Sequence, residues 1–568
     1  MTRFNYLALL REFHPRQLMA FLGRRTAAWF ALGLCGSLLL AFMEAMMASF
    51  LQIFLKGLGL LSPGIAIGGP FRDLNATPTN IGIVLVSIGL FRFIGQYLVL
   101  YGGSAVQEHM TFRLRERLLT RVLIANDKGQ VPASECNHYF GQCFLNSGYM
   151  CGVLLQGVSL ALQACALLAL MFYVSPAESA VGTAGLLVIG VLSSFIVRRV
   201  RIVANRIPIE NRAVNGGIIR VARNWMLLKV LKTEGLEYAR MFSSVEKLRN
   251  FTLEANSRSH FASALTPFLG IILLFLVILV SQHTFKTPAI ALVSFLYLFV
   301  RFVQGLAGLV AMGGGAVYYA PHFREAFHFY FSVKDKKYAS PECTLTPTAE
   351  ALAPEVTFED VDLSHGSQAI VRGLTIRLAP GQQLGLVGPS GSGKSTILAA
   401  LLGLLAPSRG VVKVGGVVAA RILTDKILRV GYVGPEPFLF AGTIRENLVY
   451  GCGDHSEQDV HAALGLANMA DVINGFPGRL ETKLTENGEG LSAGQKQRLC
   501  LARVFLAKPS LIILDEVTAN LDVETERGIV ESIHSLAGIA TVVFVSHRLS
   551  ALKYADTIFD LGSHVKQE

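Results

Sequence analysis

Residues Gly388-Pro-Ser-Gly-Ser-Gly-Lys-Ser-Thr396 stand between the apolar run Leu384–Val387 and the helix-forming run Ile397–Leu405. That order predicts a glycine-rich loop where a strand hands over to a helix. Gly388, Gly391 and Gly393 let successive backbone N–H groups converge on phosphate oxygens, with Ser390 and Thr396 beside them. Lys394 supplies the charge for terminal phosphates, and the Ser395 hydroxyl can ligate Mg²⁺. The chemistry is that of a nucleoside triphosphate site. Further along, Leu511-Ile-Ile-Leu-Asp-Glu516 reads as a buried strand ending in two carboxylates. Asp515 is then available for the Mg²⁺ shell and Glu516 for the water that attacks a γ-phosphate. His547 follows a second such strand, Thr541–Val545, and is placed to contact the γ-phosphate. In Leu491-Ser-Ala-Gly-Gln495, ahead of the helical run Lys496–Ala507, Ser492 is an N-cap, with free N–H groups and the positive dipole end behind it for an anion.

The elements that must carry these residues divide in two. With 52% hydrophobic and 16% charged residues, the chain is too apolar for an ordinary soluble protein. The apolar residues crowd the first 315 positions, and the remainder reads as an α/β domain. Six stretches can each cross a hydrocarbon core of about 30 Å: Trp29–Leu55, Ile81–Leu100, Val153–Val174, Ala180–Val197, Ser263–Val280 and Ala289–Met312. Arg3, Arg11, Arg16, Arg24 and Arg25 precede the first span, and Arg113 to Lys128 and Arg198 to Arg258 fill two long connections. The other connections hold little more than Lys56, Arg72 and Lys286. By the positive-inside rule the N-terminus, both long loops and the C-terminal domain face the cytoplasm of a bacterial-type inner membrane. The net charge of +11 is accounted for by this topology and by anionic headgroups, and no nucleic-acid motif accompanies it.

The expected domains are an interfacial lead-in at 1–28 and a six-helix membrane domain at 29–333. A proline-bearing linker at 334–354 and a nucleotide-binding domain at 355–568 follow. No removable signal peptide is expected at the start. Eight cysteines without a C-x-x-C pair argue against a disulfide framework and against a zinc site.

The motifs GPSGSGKST, LSAGQ, LIILDE, the TANLD stretch ending in Asp522, VSHR around His547 and Pro437-Phe-Leu-Phe-Ala-Gly-Thr-Ile-Arg-Glu-Asn447 together resemble the ABC transporter family. The likeness is to exporter-type half-transporters, six membrane helices fused to one nucleotide-binding domain that has a helical subdomain. It implies MgATP as ligand and two chains head to tail, with Ser492, Gly494 and Gln495 of one closing on ATP held by Lys394 of the other. A second copy is expected as the partner, ahead of a related half-transporter. The resemblance also implies coupling helices near Ser134–Ser147 and Ala222–Glu234. Three positions depart from the family pattern: Pro435 stands where a glutamine is usual, His365 where an aromatic stacks on adenine, and Ala493 where the signature has a glycine.

An active exporter or flippase is one functional class, and an ATP-gated channel or regulatory subunit on the same fold is the other. Glu516 and His547 favour the first. Import is disfavoured because importers usually keep permease and ATPase on separate chains. Charges within spans are costly and mark cavities or partners. Glu44, Arg92 and Arg301 lie at one depth, each about 18–20 Å from a span end at 1.5 Å per residue. They are the expected substrate residues, and they suit an anionic group on an amphipathic cargo such as a lipid-linked molecule or peptide. The competing reading is a Glu–Arg pair that fixes helix packing.

Overall fold

The computed structural model describes residues 15–57, 77–124, 133–285, 289–332, 352–365, 368–422, 428–452, 455–518, 521–546 and 552–564. The chain divides into two compact units, Met1–Tyr338 and Ala339–Glu568. Most of the expected linker, and His547, lie outside the described residues.

The first unit is helical. Its elements are α1 (Pro15–Gly57), α2 (Pro78–Ile124), α3 (Ala133–His138), α4 (Phe144–Val174), α5 (Pro176–Ala204), α6 (Ile207–Arg223), α7 (Trp225–Val230), α8 (Glu234–Val280) and α9 (Ala289–Ser332). Six of the helical segments are long and apolar enough to cross a membrane. Large side chains such as Val86, Leu187, Val188 and Ile271 stay exposed on them. That is the pattern of helices whose solvent is lipid. Each expected span lies inside a longer helix. The 47 residues of α2 extend about 70 Å at 1.5 Å per residue, well beyond a bilayer core. Small residues let α1 and α2 approach closely: a Cβ on Gly95 would lie 3.1 Å from the Gly36 carbonyl oxygen.

Two expectations change here. Over its described residues, the lead-in is the start of α1 itself, bent at Gly23 (φ 76°). Phe21 is fully buried, its ring 5.3 Å from Phe323, 5.1 Å from Phe327 and 5.4 Å from Tyr330. Arg113 donates to the Ala20 carbonyl at 2.8 Å and to the Tyr330 hydroxyl at 2.6 Å. An aromatic pocket therefore holds one face of this segment. The first expected coupling helix is also not a separate element. Residues Ala133–His138 pass through a wide π-turn, Tyr139–Cys143, directly into α4. The second corresponds to the six-residue α7, which exposes Trp225, Met226, Leu227 and Val230.

The second unit opens with β1 (Val356–His365) and β2 (Gln368–Leu378), which form a four-stranded sheet of order β2-β1-β4-β5 with β4 (Arg409–Val414) and β5 (Val417–Val418). The pairings in this sheet are antiparallel. A parallel sheet of order β9-β3-β8-β7-β6 is built from β3 (Gln383–Val387), β6 (Val430–Val433), β7 (Leu511–Asp515), β8 (Thr541–Val545) and β9 (Thr557–Asp560). Every residue of β7 and β8 is buried, as continuous apolar runs in a covered parallel sheet must be. One core joins the parallel sheet to the antiparallel one through α10 (Lys394–Leu401). The other lies under α11 (Ala493–Ala507), α12 (Val523–His534) and short helices at Ile444–Val449, Glu457–Leu466 and Ala470–Asn474.

Helix α10 begins three residues before the expected Ile397 and ends four before Leu405. Gly393 in the left-handed region starts it, and Gly403 (φ 69°), with Leu404 N–H donating to the Ala399 carbonyl at 2.9 Å, stops it.

Candidate nucleotide site

Parallel pairing aligns the ends of three strands. Val545 stands opposite Asp515 on one side and Leu386 on the other. The loop after β3 and the carboxylates after β7 therefore share the carboxyl edge of the sheet, where open α/β sheets bind ligands.

The phosphate loop has glycines where its backbone turns left: Gly388 (φ 148°), Gly391 (φ 83°) and Gly393 (φ 99°). A Cβ on Gly393 would come within 2.6 Å of Ile370, and one on Gly388 within 2.8 Å of the Ser392 hydroxyl. Lys394 is buried, and its Nζ donates to the Gly388 and Pro389 carbonyls, each at 2.9 Å. The Ser392 hydroxyl is buried without a partner. Ser390 is exposed at the loop tip and Thr396 half-buried in the first turn of α10. An inward-turned lysine, an orphaned hydroxyl and a concave backbone fit a polyphosphate.

Beside the loop, the Ser395 hydroxyl lies 3.4 Å from Asp515 Oδ2. Burial and the neighbouring Glu516 push the Asp515 carboxyl above its usual range. A divalent cation would relieve that destabilised negative charge, and Ser395 with Asp515 is the pair fitted to hold Mg²⁺. Glu516 itself sits at φ 53°, a conformation costly for a side chain with a Cβ. It is fixed by its N–H to the Val545 carbonyl at 3.2 Å and by Gln497 Nε2 donating to its own carbonyl at 3.3 Å.

Ser392, Gln497 and Tyr432 join the site without having been singled out in the sequence. Burial and the nearby Asp515 push the Tyr432 hydroxyl up. Its signal was its place near the end of β6, the strand beside β7.

Other expected residues cap helices or end strands. Ser492 caps α11 in a reciprocal box: its hydroxyl accepts from Gln495 N–H at 3.2 Å, and its own N–H donates to Gln495 Oε1 at 2.8 Å. The Gln495 N–H is thus already taken, contrary to the expectation that it is free. Gly494 is half-buried in the first turn. Asp522 caps α12 by accepting from Thr525 N–H at 2.9 Å. His365 ends β1 opposite Gln368, two residues before the Ile370 that touches the loop, and its ring is outside the described side chains. Pro435 and Glu436 are exposed after β6.

The family model described as ABC transporter matches residues 371–519, which covers the loop, the α11 cap and both carboxylates. The C-terminal unit carries an ABC transporter domain. Among its relatives, the ATP-dependent lipid A-core flippase of Cupriavidus metallidurans is 27% identical over 513 residues, 86% of this chain and 84% of the relative. The mitochondrial potassium channel ATP-binding subunit of Rattus norvegicus is 38% identical over 218 residues, 37% of this chain and 30% of that one. The mycobactin import ATP-binding/permease protein IrtB of Mycolicibacterium thermoresistibile is 35% identical over 207 residues, 36% of each. The chain spans about a third of the length of several curated relatives it matches. A relative named for import that is also an ATP-binding/permease protein removes the architectural argument against import.

In the membrane unit, Glu44, Arg92 and Arg301 do meet. Arg92 Nε donates to Glu44 Oε1 at 2.8 Å, and Arg301 Nη2 donates to Oε1 at 2.9 Å and Oε2 at 3.2 Å. Glu44 is buried and both arginines are partly exposed. One carboxylate thus serves both guanidiniums, where the sequence left one arginine unpartnered.

Proposed function

We propose that the chain is half of an ATP-driven exporter or flippase of the cytoplasmic membrane, working as a head-to-tail pair with a second copy of itself. The observation that carries this reading is the convergence of Lys394, Ser395, Asp515 and Glu516 at one sheet edge, behind six helices able to span a bilayer. Lys394 would leave the loop carbonyls for the β- and γ-phosphates, and the glycine turns would present backbone N–H groups to the same oxygens. When bound between Ser395 and Asp515, Mg²⁺ supplies charge neutralisation at those phosphates. Glu516 would orient and deprotonate the attacking water, with His547 contributing a contact to the γ-phosphate. The exposed Ser492 cap would meet the ATP of the opposite chain, so that binding closes the pair and hydrolysis reopens it.

For cargo, we propose an amphipathic molecule with an anionic group. Two arginines sharing Glu44 leave one net positive charge at mid-span, and the partly exposed guanidiniums could take a phosphate or carboxylate. The likeness to a lipid A-core flippase over 86% of this chain supports an amphipathic cargo. A regulatory ATP-binding role is the second reading, favoured by the name of the rat relative.

The test is MgATP turnover by the purified chain. Wild type should hydrolyse ATP, Glu516→Gln should retain ATP in a closed pair with turnover reduced by about a hundredfold or more, and Lys394→Ala should weaken nucleotide binding. Equal steady-state rates for wild type and Glu516→Gln would remove the reading.

A further inference from the structure

Beyond the expected sixth span, α9 carries His322 and Glu325 one helical turn apart. Facing them, the π-turn between α3 and α4 spans the gap from His138 to Cys143 with i→i+5 bonds. One ligand atom from each of His138, Cys143 and Glu325 lies within 4.8 Å of the others. His138 Nε2 and Glu325 Oε1 are 3.0 Å apart, already close to the spacing of two ligands around a tetrahedral ion with bonds of about 2.0–2.2 Å.

We propose that His138, Cys143 and Glu325 form a binding site for a zinc-class divalent cation.

The donor set selects the ion. Imidazole, thiolate and carboxylate suit Zn²⁺ and its neighbours, whereas Mg²⁺ and Ca²⁺ require oxygen. The site is dry: His138 is 1% exposed, and its Nε2 is the ring nitrogen that faces Glu325. Cys143 is fully buried, with Sγ 3.5 Å from the His322 backbone carbonyl. Burial opposes ionisation of Glu325, but His138 and Arg212 outweigh it and hold the carboxyl below its usual range.

The cation takes the place of the proton that His138 and Glu325 share. Cys143, kept a neutral thiol by burial, loses its proton on binding, as a metal-bound thiol does. Arg212 remains hydrogen-bonded to Glu325 as an outer partner. Its positive charge opposes the incoming ion, and the new thiolate offsets it. No C-x-x-C pair marks the site, because its ligands come from segments nearly two hundred residues apart, His138 and Glu325 being separated by 187. Occupancy would fasten the first long loop, α6 and the end of α9 to one another, independently of what the protein transports.

The test uses the full chain in detergent, stripped with chelator and free of nucleotide. Zn²⁺ uptake is measured by elemental analysis, and Co²⁺ replaces it as the optical probe. Wild type should take up about one ion per chain and show the charge-transfer band of a cobalt–thiolate bond. Cys143→Ser should lose that band, His138→Gln should weaken uptake by about tenfold or more, and Cys452→Ser should change neither. Wild type that takes up no ion, or a thiolate band that survives Cys143→Ser, overturns the site. The wild-type measurement needs no substitution, so a variant that fails to fold leaves the test standing.

Discussion

Gly393 shows how narrow the tolerance is at the level of one residue. Its φ of 99° is strained for any L side chain, and an added Cβ would meet Ile370 at 2.6 Å. Gly393→Ala should therefore deform the phosphate loop and weaken ATP binding by about tenfold, from a strain of roughly 1–2 kcal/mol; calorimetric titration would show this, and unchanged affinity would mean the loop can yield. Such glycines were readable from spacing alone, because phosphate chemistry dictates where a backbone must turn. Tyr432, Ser392 and Gln497 were not, since they enter the site through sheet order and burial, which no local pattern announces. Glu44 lies between these cases. Its depth was legible, but the sharing of its carboxylate between two arginines depends on how three helices rotate about their axes.

At the scale of elements, that shared carboxylate is a tie between α1, α2 and α9. Removing one partner from a buried ion pair costs about 3–5 kcal/mol. Glu44→Gln should approach the lower end of that range, because the arginines are partly exposed. Arg92→Ala should cost less, since Arg301 still holds Glu44. Thermal melting in detergent distinguishes them, and equal stability of all three proteins would reduce the cluster to a surface contact. The α11 cap gives a second measurement: Ser492→Ala breaks a reciprocal box and should lower stability by about 1 kcal/mol, read as a fall in the melting temperature of the isolated chain. Helix existence was legible from apolar length, whereas helix ends were not. Polar continuations of α2 and α8 carry no apolar signal, and the π-turn joining α3 to α4 follows from packing instead of composition.

For the whole molecule, a site with its phosphate loop and its signature cap on one chain requires two chains to become complete under the proposed mechanism. The chain expressed alone should have the mass of a pair in detergent, and a stable monomer would point to a different half-transporter as partner. The fastening of the N-terminal segment has another consequence, which concerns time. Phe21 is enclosed by rings from Phe323 to Tyr330, and a side chain on Gly23 would fall where the Arg113 guanidinium now sits. Ala20 and Tyr330 are 310 positions apart, so at roughly 5–20 residues per second a ribosome needs about 15 to 60 seconds to deliver the second after the first. Throughout that interval the start of α1 is in the bilayer's vicinity without its final neighbours. The first of the described helices is thus among the last to be sealed, and a chain released before residue 323 would leave Phe21 without the rings that enclose it.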